Sequence, residues 1–334
     1  MSAPNVAVLG ATGVVGREMV KVLEQRELPV GRLKLLASPR SAGTTLTFRG
    51  EEHTVEAVTP GGFDGIDIAL FSAGAGISRE WAPIAAERGA IVIDNSSAWR
   101  MDDAVPLVVP EVNPEHATER PKGIIANPNC STIQMVVALA PLHREQRIRR
   151  IVVATYQAIS GSGASAVDAF EAQAKAVSAG QPVEHGELKG QLAGNLLMHW
   201  TPDEASGYQE EELKMVYETR KILGDAELRV SPTAVRVPVI NGHAEAITLE
   251  FGSPMSPQRA RELLEKAPGV EVVDDFMGGV YPQPVAASGT DPVYVGRIRE
   301  DVGNPGGLQM WVVSDNLRKG AALNAVQIAE QLLA

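Results

Sequence analysis

The stretch from Val6 to Gln25 constrains the fold of this chain more than any other. Four apolar residues, Val6 to Leu9, run directly into Gly10-Ala11-Thr12-Gly13-Val14-Val15-Gly16. Helical spacing follows from Arg17 to Gln25, with Met19, Val20 and Leu23 on one face. A buried strand, a tight glycine turn and a helix in immediate succession form the dinucleotide-binding context. Glycines let the backbone turn sharply and approach a pyrophosphate, which then rests on the free N–H groups of the helix start. The spacing here is GxxGxxG rather than GxGxxG, and a glycine-rich turn in another α/β protein has the same outline.

The following residues repeat the strand–helix alternation. Strands are expected at Leu33–Ala37, Asp67–Ser72, Ile91–Asp94 and Ile124–Ala126, with a helix from Trp81 to Arg88. Short buried strands separated by helices predict a parallel, doubly wound sheet. The pattern changes near Asn127. Helices are expected at Ser131–Leu142, Val167–Ser178 and Glu210–Leu223, and strands at Ile151–Ile159, Arg229–Ile240, Ala244–Phe251, Val293–Glu300 and Leu308–Val313. The polar, glycine-containing stretch from Ala179 to Gly207 reads as irregular or partly helical, and Asp315 to Leu333 as a closing helix. The fold class is therefore α/β: a Rossmann-like dinucleotide-binding domain over 1–128 and an α+β domain over 129–314. The final segment, 315–334, is expected to pack back on the first domain.

Composition narrows the partners. With 334 residues the chain is long enough for two domains. A formal net charge of −11 argues against nucleic acid or an anionic membrane surface as the main partner. A single cysteine rules out an internal disulfide and a cysteine zinc site, and no metal is expected. Met1 to Asn5 carries no basic or apolar leader, and no apolar run reaches the roughly 18 residues of a membrane helix. A cytoplasmic protein acting on small molecules is the expectation.

Three further constellations carry chemistry. Cys130 lies in Asn127-Pro128-Asn129-Cys130-Ser131-Thr132, where a turn gives way to an apolar helix. A helix N-terminus favours a thiolate through its dipole and unpaired N–H groups, so Cys130 reads as a nucleophile rather than a small core residue. Arg236-Val237-Pro238-Val239-Ile240-Asn241-Gly242-His243 places an arginine in a strand and a histidine after an Asn-Gly turn. The arginine's planar fork suits a carboxylate. From position alone, His243 serves structure or chemistry equally well. After the second strand, Ala37-Ser38-Pro39-Arg40-Ser41 lacks the acid that pairs with a free ribose hydroxyl. Arg40 and Ser41 could instead hold a 2′-phosphate, although a solvated loop arginine is also common.

Taken together, GATGVVG at 10–16, SSAWRM at 96–101, NPNCST at 127–132, YQAISGSG at 156–163, EELK at 211–214 and RVPVINGHAE at 236–245 resemble aspartate-β-semialdehyde dehydrogenases along essentially the whole chain. Val14-Val15 in the glycine loop is a conservative departure. The resemblance implies an NADP-dependent, phosphorylating oxidoreductase that interconverts L-aspartate 4-semialdehyde plus phosphate and L-aspartyl 4-phosphate through a cysteine thioester. It places that reaction in lysine, threonine, methionine, isoleucine and diaminopimelate biosynthesis. It implies Cys130 as nucleophile, His243 as acid–base residue and Gln157 as the residue that orients the acyl group. It further implies Arg236 for the substrate carboxylate, Glu211 for its amine, and Arg100 and Lys214 for phosphate. Gly10, Thr12, Gly13, Val14, Val15, Arg40, Ser41, Ser160, Gly161 and Asn316 would contact NADP, and the second domain would form a homodimer or a tetramer. Without the resemblance, Glu211 and Lys214, three apart on a helix, would read as a surface ion pair. Two other classes fit less well. A reductase of an N-acetylated glutamyl phosphate would have no substrate ammonium for Glu211, and a non-catalytic nucleotide-binding protein would not need Cys130, Gln157, Arg236 and His243 together.

Overall fold

A computed structural model describes residues 3–26 and 28–333; Met1, Ser2, Glu27 and Ala334 lie outside it, and with them the ends of the leader and closing-segment expectations. The chain divides into two compact units, one of residues 1–129 and 321–334, the other of residues 130–320.

The first unit is built on β1 (Val6–Leu9), α1 (Val14–Gln25), β2 (Leu33–Ala37), β3 (Thr45–Phe48), β4 (Glu51–Thr54), β5 (Glu56–Ala57), β6 (Ile68–Phe71), α2 (Ala75–Glu87), β7 (Ile91–Asp94) and β8 (Ile124–Ala126). Six strands form a parallel sheet in the order β5-β2-β1-β6-β7-β8. Strand order reverses beside β1, the place where open α/β sheets leave a crevice at their carboxyl ends. The C-terminal helix Leu323–Leu333 belongs to this unit, and Leu323, Val326 and Ile328 join Val6, Met19, Leu70 and Ile93 in one core. A π-helical turn, Arg318–Ala322, precedes that helix, so the closing segment is not one uninterrupted α-helix. Helix α2 begins at Ala75, six residues before the expected Trp81. Its buried positions are Ser78, Ala82 and Ala85, small residues that leave little apolar periodicity to read.

The second unit contains α3 (Cys130–Glu145), β9 (Ile148–Gln157), α4 (Ala164–Ser178), α5 (Glu210–Leu223), β10 (Arg229–Arg236), β11 (His243–Phe251), α6 (Pro257–Leu264), β12 (Val270–Val272), α7 (Pro284–Ala287), β13 (Val293–Glu300) and β14 (Leu308–Ser314). Its mixed sheet has the order β10-β9-β11-β14-β13-β12. Ile133 through Ala140 of α3 are all buried, which marks an interior helix rather than an amphipathic surface one. Strand β10 stops at Arg236, four residues short of the expected Ile240. The Val239 N–H donates to the Val237 carbonyl at 2.8 Å, a three-residue turn that takes the chain out of the ladder. Strand β9 ends at Gln157, and Ile159 already belongs to a tight turn, Ile159–Ser162.

Candidate active site

Strand register gathers the second unit's reactive side chains at one end of its sheet. β10 runs parallel to β9 and sets Arg236 opposite Gln157. β11 runs antiparallel to β9 and pairs Ala244 with Tyr156, so His243 enters the sheet beside Gln157. β14 pairs Ser314 with His243, and Asp315 and Asn316 follow directly. Cys130 is the first residue of α3. The backbone passes so close to it that a Cβ on Gly320 would lie 2.8 Å from the Cys130 Cβ. Glycine is required there by space.

Arg236 is 3% exposed. One Nη donates to the Ala158 carbonyl at 2.7 Å, and the guanidinium carbon lies 4.7 Å above the Trp200 ring. Its Nε is 3.5 Å from His199 Nε2. Burial lowers the Arg236 pKa, opposed by the negative charges of Glu211 and Cys130.

His243 is wholly buried, and its Nδ1 accepts the Ala158 N–H at 3.0 Å. A ring nitrogen that accepts carries no proton, so the neutral imidazole holds its hydrogen on Nε2. Burial pushes the pKa well below the usual imidazole range, and the Arg236 charge pushes it further. Among the described residues Nε2 has no hydrogen-bond partner. A Cβ on Gly161 would lie 3.5 Å from both this nitrogen and an Arg236 Nη, so glycine keeps the space beside them open. His243 is thus a neutral donor aimed into that space.

Gln157 is 1% exposed, and its Nε2 lies 3.3 Å from Glu211 Oε1. Glu211 is buried, and Lys214 Nζ lies 3.4 Å from its other oxygen and 2.9 Å from Glu210. The i,i+3 pair foreseen on α5 therefore has one buried member. Ser160 and Asn316 brace the turn that leads into His243. Asn316 Nδ2 donates to Ser160 Oγ at 2.8 Å, its Oδ1 accepts the Gly242 N–H at 2.9 Å, and Ser160 Oγ donates to Asn241 at 2.9 Å.

The remaining candidates lie in the first unit. Gly10 has φ +84°, and a Cβ on Gly16 would lie 2.1 Å from the Gly10 carbonyl, so the loop closes on α1 only with these glycines. Thr12 belongs to the turn. Gly13 caps α1 without any side-chain acceptor, which leaves the N–H groups of its first turn, from Val14 and Val15 onward, open to an anion. Arg40 and Ser41 occupy a tight turn after β2, and Arg40 is exposed with no acid beside it in that segment. Arg100 is buried, and it donates to the carbonyls of Asn127 and Asn95, each at 3.0 Å. No group of three or more His, Cys, Asp or Glu side chains suits a metal among the described residues, and no described helix is long and apolar enough to cross a membrane. Sequence reasoning missed His199 and Trp200. They sit in the irregular stretch, and adjacent aromatic residues between polar turns were the available signal.

Comparison with known proteins agrees with this architecture. Residues 5–120 match the family model described as semialdehyde dehydrogenase, NAD binding domain. Residues 139–319 match semialdehyde dehydrogenase, dimerisation domain. Aspartate-semialdehyde dehydrogenase from Aquifex aeolicus is 55% identical over 332 residues, covering 98% of each chain. The enzyme of the same name from Synechocystis is 51% identical over 98% of this chain and 97% of its own. Among solved structures, aspartate semialdehyde dehydrogenase II from Vibrio cholerae, complexed with ASA, superposes with a TM-score of 0.97 at 47% identity, covering 100% of this chain and 99% of that one. The Candida albicans enzyme with NADP superposes with a TM-score of 0.78 at 28% identity, covering 100% of this chain and 99% of that one.

Proposed function

The chain belongs to the aspartate-semialdehyde dehydrogenase family, and on that footing we propose that it interconverts L-aspartate 4-semialdehyde plus phosphate and L-aspartyl 4-phosphate, with NADP, through a thioester on Cys130. The observation that carries this reading is the cluster in the second unit: Cys130 at a helix start, within the field of Arg236, with His243 a neutral donor on the same sheet end.

In the oxidative direction the Cys130 thiolate adds to the aldehyde carbon, forming a C–S bond and an alkoxide. The His243 Nε2–H donates to that oxygen, and Gln157 orients the same group. A bound nicotinamide dinucleotide supplies the hydride acceptor. Loss of hydride leaves a thioester, phosphate oxygen attacks it, and the Cys130 thiolate departs. The reductive direction reverses each step. Arg236 holds the substrate carboxylate with its planar fork, and Glu211 pairs with the ammonium. Arg100 and Lys214 are the proposed phosphate contacts.

The first unit's residues fit a dinucleotide. The cradle between Gly10 and Gly16 admits no side chain at either glycine, and the start of α1 offers unpaired N–H groups. Gly10, Thr12, Gly13, Val14 and Val15 would hold the pyrophosphate, and Arg40 and Ser41 a 2′-phosphate. Ser160, Gly161 and Asn316 are proposed as contacts of the same cofactor. The dimerisation domain supports a homodimer, with a tetramer built from it as the larger form. Cytoplasmic work in the biosynthesis of lysine, threonine, methionine, isoleucine and diaminopimelate follows from the same reading. The test is NADPH formation from the semialdehyde with and without phosphate. Sustained turnover should require phosphate, and sustained turnover without it would overturn the assignment.

A further inference from the structure

One buried titratable side chain has no part in this chemistry. Glu245 lies on β11 two residues after His243, so both point to the same face of the sheet. It is 0% exposed. Its strand neighbours are Thr155 on β9 and Val312 on β14. Neither carboxyl oxygen has a hydrogen-bond partner among the described residues. Burial raises its pKa well above the usual carboxylate range, and the amide of Gln134 on α3 is the group that works against this.

Gln134 ties this acid to the nucleophile. It lies four residues after Cys130, one turn further along the same helix face. Its Oε1 accepts the Ser314 hydroxyl at 2.7 Å, and Ser314 is the residue opposite His243. Its Nε2 faces Glu245 without a closed hydrogen bond. Two unsatisfied buried polar groups thus confront each other. A short link, Gln146-Arg147, reverses the chain from α3 into β9, and β9 is antiparallel to β11. Hence α3 and β11 run the same way, with Cys130 before Gln134 on one and His243 before Glu245 on the other.

We propose that Glu245 is a positioning residue for the nucleophile: it faces the Gln134 amide and through that side chain fixes the first turns of α3, and with them Cys130, over the strand that carries His243. The inference rests on Cys130 being the nucleophile. A carboxamide has the same shape and keeps an oxygen facing the Gln134 amide, so Glu245→Gln performs the same task, whereas Glu245→Leu removes every polar atom that faces it.

The experiment compares Glu245→Leu, Glu245→Gln and Gln134→Met with the parent. The readouts are the rate of Cys130 alkylation by iodoacetamide in the absence of substrate, kcat and KM for the semialdehyde and for phosphate, and circular dichroism. Glu245→Leu and Gln134→Met should lower kcat and the alkylation rate by about 10- to 100-fold, as expected for a misplaced reacting group, with both KM values unchanged. Glu245→Gln should restore parent rates. Parent rates in a folded Glu245→Leu or Gln134→Met protein would overturn the proposal, as would a Glu245→Gln protein as slow as the leucine variant. If the leucine variant fails to fold, Gln134→Met and Glu245→Gln decide by the same criteria. Alkylation of the parent that left turnover intact would instead sink the thioester reading itself.

Discussion

Three features meet around Cys130. The start of α3 favours a thiolate by about 0.3–1 kcal/mol, Arg236 places a positive charge that interacts with the sulfur, and His243 presents a neutral N–H on the same sheet end. Cys130→Ala should abolish turnover while leaving NADP binding, measured by fluorescence titration, at parent strength; substantial residual turnover would break the thioester mechanism. Arg236→Lys keeps the charge but loses the fork over Trp200. The loss of one charge-assisted hydrogen bond, about 1.5–3 kcal/mol, should raise the KM for the semialdehyde by about 10- to 150-fold, and an unchanged KM would move the carboxylate site elsewhere. The depressed His243 pKa also bears on stability. The folded ring resists protonation, whereas the unfolded one titrates near pH 6.5. Its contribution is fully present above about pH 6.5 and is lost as pH falls through the folded pKa. The Tm of the parent should therefore approach that of His243→Asn as pH drops from about 7 to about 5; a constant gap would show that the ring is not held neutral. Cys130 was legible in the sequence because it is the only thiol and sits at a turn-to-helix boundary. His199, Trp200 and Glu245 were not, because neither a loop nor one strand position shows what packs over it.

At the scale of elements, the long apolar strands were readable and their ends were not. Arg229–Arg236 and His243–Phe251 announce themselves through β-branched and alternating residues, but no local pattern gives the register that sets Arg236 opposite Gln157. That register comes from pairing across long sequence separations. Helix α2 shows the opposite failure, since its small buried residues hide its first turns. The glycine loop was legible because its sterics are local: the Gly10–Gly16 approach follows from a strand, a turn and a helix in sequence. The turn after β2 is local too, and it carries the cofactor prediction. Arg40 is exposed with no acid in its segment. One charge-assisted hydrogen bond to a 2′-phosphate should make NADP preferred over NAD by about 10- to 150-fold in kcat/KM. Arg40→Ala should remove most of that preference by weakening NADP alone. Full discrimination in the variant would show that the phosphate is read elsewhere.

At the scale of the whole molecule, the net charge is −11, so the proposed reaction of three anionic ligands requires cations placed locally, and Arg40, Arg100, Lys214 and Arg236 are the ones proposed for it. The second unit matches a dimerisation domain, so sedimentation equilibrium at micromolar concentration should give twice the chain mass or a multiple of it; a monomer would contradict the assembly. In the proposed reaction the acyl group passes through sulfur before it reaches phosphate. This order is tested most directly by mixing enzyme, NADP and semialdehyde without phosphate, following NADPH, and weighing the protein by mass spectrometry. The expected result is a burst of about one NADPH per chain, an aspartyl adduct on Cys130, and discharge of that adduct when phosphate is added. Steady NADPH formation without phosphate, or a burst that leaves Cys130 unmodified, would contradict it.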